Sequence, residues 1–195
     1  NGGGLIFLYP CLFGILPFWN DKSKIDLLIY ISIIFSSLLS GFIDDFLGEN
    51  QTKGFRGHIN MLLSGRLTTG VLKIFIGIAI GFIASVVHYS DIWDIGFHTI
   101  LFALTMNIIN LLDLRPGRAI KGFLITVTLI MIFTGLNELW LLLPVITAMI
   151  IYIPGEMKEK YMMGDTGSNL LGGILGLYVI RISQINVKLI VFFAL

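Results

Sequence analysis

Four carboxylates in this chain stand where an apolar run begins or ends. Asp44 and Asp45 close one run, within Gly41-Phe42-Ile43-Asp44-Asp45-Phe46-Leu47-Gly48. Asp113 ends another, following Asn107 and Asn110, and Asp165 precedes a third within Met163-Gly164-Asp165-Thr166-Gly167-Ser168-Asn169. Clustered aspartates with access to water suit Mg²⁺, a hard cation that takes one or two carboxylates and leaves its other positions to water and substrate phosphates. Fixed cations and a metal beside a lipid headgroup make sense for moving a phosphorylated group onto a membrane lipid.

Each motif has a structural reading beside the chemical one. Two aspartates at a helix C-terminus face the negative end of the macrodipole, so their placement is locally unfavourable. Neighbours on a helix point about 100° apart, so the pair serves two partners better than it forms one clamp. A solvated helix end is the plain alternative. Asn107 and Asn110 are three residues apart and share a helix face, with Asp113 one turn further on. They could equally hydrogen-bond between helices. The Gly-Asp-Thr-Gly-Ser stretch reads as a flexible segment before a helix start, where free N–H groups attract anions. Ordinary capping needs one such residue, not five. Two basic segments accompany these motifs: Leu114-Arg115-Pro116-Gly117-Arg118, and Lys53-Gly54-Phe55-Arg56-Gly57-His58 followed by Arg66. Lys53, Arg56, Arg115 and Arg118 are candidates for phosphate or lipid headgroups, or simply topogenic charges. His58, His88 and His98 share no metal-binding spacing.

The elements that must position these groups are membrane helices. Charged residues are 13% of the 195 and hydrophobic ones 56%, against about 25% charged in a soluble domain. Mean hydropathy is +0.91. Spanning a bilayer takes roughly 20 apolar residues. Leu5–Trp19, Ile25–Ile43, Leu67–Tyr89, Gly96–Leu112, Gly122–Leu136, Leu139–Ile153 and Asn169–Ile182 read as spans, with a partial eighth from Val187. The expectation is one all-α integral membrane domain over residues 1–195, a polytopic bundle of about seven complete spans. Gly77-xxx-Gly81 and Gly172-xxx-Gly176 mark close helix packing. Cys11 is the only cysteine, so no intrachain disulfide forms. A net charge of +1 gives no reason to expect a nucleic-acid partner. Both ends look cut.

With residue 1 in the cytoplasm and the spans alternating, the bases sort unevenly. Lys53, Arg56, Arg66, Lys73, Arg115, Arg118, Lys121, Lys158 and Lys160 fall inside; Lys22, Lys24, Arg181 and Lys188 fall outside. Asp44, Asp45, Asp113 and Asp165 go to the cytoplasmic side with the larger group. This gives a multi-pass cell-membrane protein with its polar face in the cytoplasm.

On these motifs the chain resembles the polyprenyl-phosphate N-acetylhexosamine-1-phosphate transferases. The resemblance runs from Gly2 to about Gly176, in the family's order. Gly2-Gly3 is similar to the short Gly-Gly stretch after the family's first helix. Asp44-Asp45 is similar to the family's aspartate pair. Asn107, Asn110 and Asp113 match the start of its N-x-x-N-x-x-D-G-x-D-G element, and Met163–Ser168 matches its M-G-D-x-G-S element, the most specific of the three. Leu114 and Pro116 stand where that second element has Gly and its second Asp, and Gly48 stands where some members place a Lys. The family's His-containing loop lies beyond Leu195.

The resemblance implies a bundle of about ten helices, of which this chain is a part. It implies transfer of a sugar 1-phosphate from a UDP-sugar to a polyprenyl phosphate, with Mg²⁺, for cell-wall or surface glycan synthesis. Asp165 would hold the metal. Asp44 and Asp45 would handle the lipid phosphate, and Asn107, Asn110 and Asp113 the nucleotide sugar. The partners are then the lipid, the nucleotide sugar and the membrane, with a homodimer left open. The alternative from another class is a transporter or lipid-binding protein, which would hold its ionisable groups near the midplane between broken helices.

Overall fold

The structure is a computed structural model that describes residues 3–47 and 69–182. Helices and their connections account for all of it, with no strand among the described residues. In lipid every backbone polar group must be satisfied within its own segment, which leaves the helix as the form these apolar runs can take. A short 3₁₀ turn (Gly3–Phe7) leads into α1 (Leu8–Phe13) and a second 3₁₀ turn (Leu16–Phe18). Then come α2 (Lys24–Leu47), α3 (Thr69–His88), α4 (Ile92–Leu112), α5 (Arg118–Thr134), α6 (Leu139–Glu156) and α7 (Gly164–Arg181).

Four helices are long and apolar enough to cross a membrane: Lys24–Asp44 within α2, then α3, α4 and α6. Their outward faces carry bare apolar side chains such as Phe75, Phe82, Ile83, Ile100 and Ile150, as a lipid-facing surface requires. The chain is thus a multi-pass helical membrane protein. Leu5–Trp19, expected as one span, is helical only in three short pieces. Pro10 and Pro17 have no N–H to give, and the chain turns at Gly14 between them. The partial span from Val187 lies outside the described residues.

The bundle is organised around α7. From Met163 to Ile180 every residue but Asp165 is buried, and the helix packs chiefly against α2 and α4, with α3 closing on both. Lipid gives apolar helices no hydrophobic reason to associate, so contact must come from close backbone approach. Small residues allow it here. A Cβ on Gly172 would stand 2.5 Å from the Cα of Met106 on α4, and one on Gly41 would stand 2.3 Å from the carbonyl oxygen of Asp165. Gly77 and Gly81 on α3 also face Met106 and Phe102, so both Gly-xxx-Gly pairs grip the same helix.

One end of the bundle is tied by Arg181. Its guanidinium reaches Asp26 at 2.5 Å and both Glu138 oxygens at 2.9 and 3.1 Å, and Trp140 Nε1 donates to Glu138 at 2.6 Å. Burial works against the Glu138 charge, but Arg181 and Trp140 hold its carboxyl below the usual carboxylate range. Glu138 adopts a left-handed φ of 58° to make these contacts, a strain of order 1–3 kcal/mol for a non-glycine residue.

The packing makes a direct prediction. Gly172→Ala should lower the melting temperature of the protein in detergent, because overpacking costs about 1–3 kcal/mol. Gly96→Ala, with nothing within 4 Å of the new methyl, should leave it unchanged or raise it slightly. Equal melting behaviour of the two variants would contradict the placement of α7.

Candidate active site

At the other end, charged and amide side chains from α2, α3, α4 and α7 meet. Asp44 lies one turn before the end of α2, against the helix dipole, and so needs an external cation. Lys73, just over a turn into α3, supplies it. Its Nζ is 2.5 Å from Asp44 Oδ2 and also contacts Asp165 Oδ2. Asp165 sits in the first turn of α7, where the dipole favours its charge. The side chains of Lys73, Asp44 and Asp165 are 16, 22 and 29% exposed, so the pairs are partly withdrawn from water and stronger than surface ion pairs.

Asn110 completes the cluster from α4. Its Nδ2 donates to Asp165 Oδ1 at 3.0 Å and to Ser168 Oγ at 2.8 Å, and Ser168 Oγ donates back to the Gly164 carbonyl at 3.0 Å. One turn on, Asn169 Nδ2 donates to Ser40 Oγ on α2 at 3.3 Å. Asp165 therefore has one oxygen held by an amide and the other presented to a cation. The Gly-Asp-Thr-Gly-Ser segment, expected as a loop before a helix, is the helix's own first turn. Gly164 allows this by adopting a φ of 68°, and no side chain caps the start. The N-terminal segment buttresses it: Gly4 N donates to the Met163 carbonyl at 3.0 Å, and its Cα abuts Gly167.

The other expected site residues are spread more widely. Asn107 is exposed and lines a groove with Lys73 and Asn169, walled by Ile74, Gly77, Ile78, Ala103 and Leu104. Asp113 is the C-cap of α4 and lies near Tyr152. Arg115 and Arg118 are exposed and form no ion pair among the described residues. Asp45 lies in α2, and nothing is described of its side chain; Lys53 and Arg56 lie outside the described residues. Lys73 is the functional candidate that sequence reasoning missed, having been counted only as a topogenic charge. A lone lysine near the start of an apolar helix is costly unless paired, and that signal could have found it. No group of three or more His, Cys, Asp or Glu side chains converges among the described residues.

Curated relatives were found across most of the chain. A phospho-N-acetylmuramoyl-pentapeptide-transferase of Staphylococcus saprophyticus is 29% identical over 93% of this chain and 62% of its own. Enzymes of the same name from Chlamydia abortus and Borreliella burgdorferi are 29 and 27% identical, each over 90% of this chain and 58% of their own. The chain is similar to these transferases over most of its own length. It spans about three-fifths of the length of the curated relatives it matches. No family model and no solved structure matches it.

Replacing Asn110 tests the cluster. Asn110→Leu should lower stability by about 1–3 kcal/mol, the usual cost of leaving a withdrawn polar partner unmatched. Arg118→Gln, an exposed change, should stay within about 0.5 kcal/mol of the parent. Chemical denaturation of the two variants in the same detergent checks this; equal effects would contradict the arrangement around Asp165.

Proposed function

We propose that the chain forms the catalytic face of a Mg²⁺-dependent enzyme that transfers a sugar 1-phosphate from a nucleotide sugar to a polyprenyl phosphate. The observation that carries the reading is the cluster of Asp44, Lys73, Asn110 and Asp165 at one end of the bundle. The similarity to phospho-N-acetylmuramoyl-pentapeptide-transferases supplies the reaction class, and a UDP-sugar is the donor it suggests. Lys73, Arg115, Arg118, Lys121, Lys158 and Lys160 stand at the site end, against Lys22, Lys24 and Arg181 at the other. By the positive-inside rule the site end then faces the cytoplasm, where soluble nucleotide sugars are found. A transporter would hold its ionisable groups near the midplane; here they lie within about one turn of helix ends.

The donor set fits a hard divalent cation. Asp165 Oδ2 and Asp44 Oδ2 point at a common position that is already held by positive charge, and two carboxylates with room for water and phosphate oxygens are a Mg²⁺ set. Such a cation would stabilise the charge that develops on the transferring phosphoryl group and the leaving nucleotide.

The chain's own residues do the rest. Asn110 and Ser168 hold Asp165 in one orientation. Asp44 accepts the proton of the lipid phosphate as one of that phosphate's oxygens attacks the sugar-bearing phosphorus. The new P–O bond forms as the bond to the nucleoside monophosphate breaks, and the monophosphate leaves with the bonding pair. Lys73 and Asn107 lie at the head of an apolar groove and meet the lipid phosphate there. Arg115 and Arg118 attract the anionic donor from solution, while Asp113 contacts its nucleoside part.

Full-length protein supplied with polyprenyl phosphate and a panel of nucleotide sugars should release a nucleoside monophosphate for one of them. Asp165→Asn should reduce that release by at least about a hundredfold, the scale of a lost charge-stabilising group, without loss of fold. Chelation of Mg²⁺ should abolish it. Release that continues undiminished in chelator would overturn the reading.

A further inference from the structure

Lys73 places a full positive charge where the proposed chemistry needs a metal. Its Nζ touches Oδ2 of both Asp44 and Asp165, which come from α2 and α7 and have no other cation among the described residues. The other Asp165 oxygen, Oδ1, accepts from Asn110 at 3.0 Å, while Oδ2 is the one that meets the ammonium. A Mg²⁺ ion bound there would sit about 2.0–2.1 Å from each ligand oxygen. It would then lie within a bond length or so of the present ammonium. Sterics and like charge both forbid sharing.

We propose that Lys73 and a divalent cation exclude one another between Asp44 and Asp165, so that Lys73 holds the site together without metal and sets how tightly metal binds. The inference rests on the transferase reading only in taking a divalent cation as the site's occupant. Without a cation, two carboxylates meeting at a partly desolvated boundary would repel and push α2 from α7. Lys73 prevents this. When metal arrives, the ammonium moves off along its flexible stem but stays at the mouth of the groove lined by Asn107 and Asn169. A cation and two amides there suit a phosphate oxygen. Lys73 thus acts as a positioning residue whose charge is transferred from the carboxylates to the anionic substrate.

The test is Mn²⁺ binding to the full-length protein, read by electron paramagnetic resonance without substrate. Lys73→Met should bind Mn²⁺ at least about tenfold more tightly than the parent, since a unit charge across a few Å at a partly buried site is worth at least that much. Lys73→Arg keeps the charge and should remain within about threefold of the parent by the same reasoning. In chelator Lys73→Met should melt below the parent, and saturating Mn²⁺ should raise its melting temperature by more than it raises the parent's. Lys73→Gln retains a hydrogen-bonding tip for the carboxylates and repeats the measurement with a smaller loss of stability. Equal or weaker Mn²⁺ binding by Lys73→Met and Lys73→Gln would overturn the competition while leaving the metal reading standing. Absence of Mn²⁺ binding in all four proteins would overturn both.

Discussion

A carboxylate at the edge of a membrane needs a cation, and the two that matter here share one. Lys73 joins Asp44 to Asp165 and thereby fixes the register of three helices at once. The register is attainable because Gly41 lets the α2 backbone come up against the carbonyl of Asp165 itself. A side chain at position 41 would hold the helices apart and open the ion pair. Close packing and charge pairing are therefore one constraint in this bundle: the glycines set the distance and the lysine makes the distance stable.

The two ends of the bundle use charge differently. At the far end Arg181 satisfies Asp26 and Glu138 with several donors, and Trp140 adds another. Those groups are consumed by structure. At the near end the lysine has two carboxylates, one amide orients Asp165, and a groove opens beside them. A single flexible cation is easier to displace than a bidentate guanidinium. The proposed chemistry is assigned to the end that can change its partners.

Much of the scaffold was legible in the apolar runs, because α2, α3, α4 and α6 are lipid-facing and their composition says so. The first run was less so: Pro10 and Pro17 break it into pieces that hydropathy alone averages over. The role of α7 was hidden for the opposite reason. Its glycines and polar residues make it a weak span by composition, yet they are what allow it to be enclosed by its neighbours. Alternation of the spans put Asp44, Asn110 and Asp165 at one end, and in the structure they meet there. It could not show that Asn110 turns toward Asp165, nor that Asp113 lies near Tyr152, since both depend on rotation about the α4 axis. Lys73 was visible only as a charge. Pairing across 29 and 92 residues leaves no trace in local spacing.

The most direct measurement of this arrangement is a cross-link. Cys11 is the only cysteine among these 195 residues, so in a chain of this sequence a Cys11→Ser background carrying Asp44→Cys and Asp165→Cys leaves two thiols, one on α2 and one on α7. Oxidation, or a bifunctional reagent only a few Å long, applied to native membranes should join the two within a single chain. Both thiols should also be labelled by an impermeant reagent from the same side of the membrane. Labelling from opposite sides, or no intrachain cross-link in folded protein, would contradict the placement of positions 44 and 165 beside one another on which the shared cation depends.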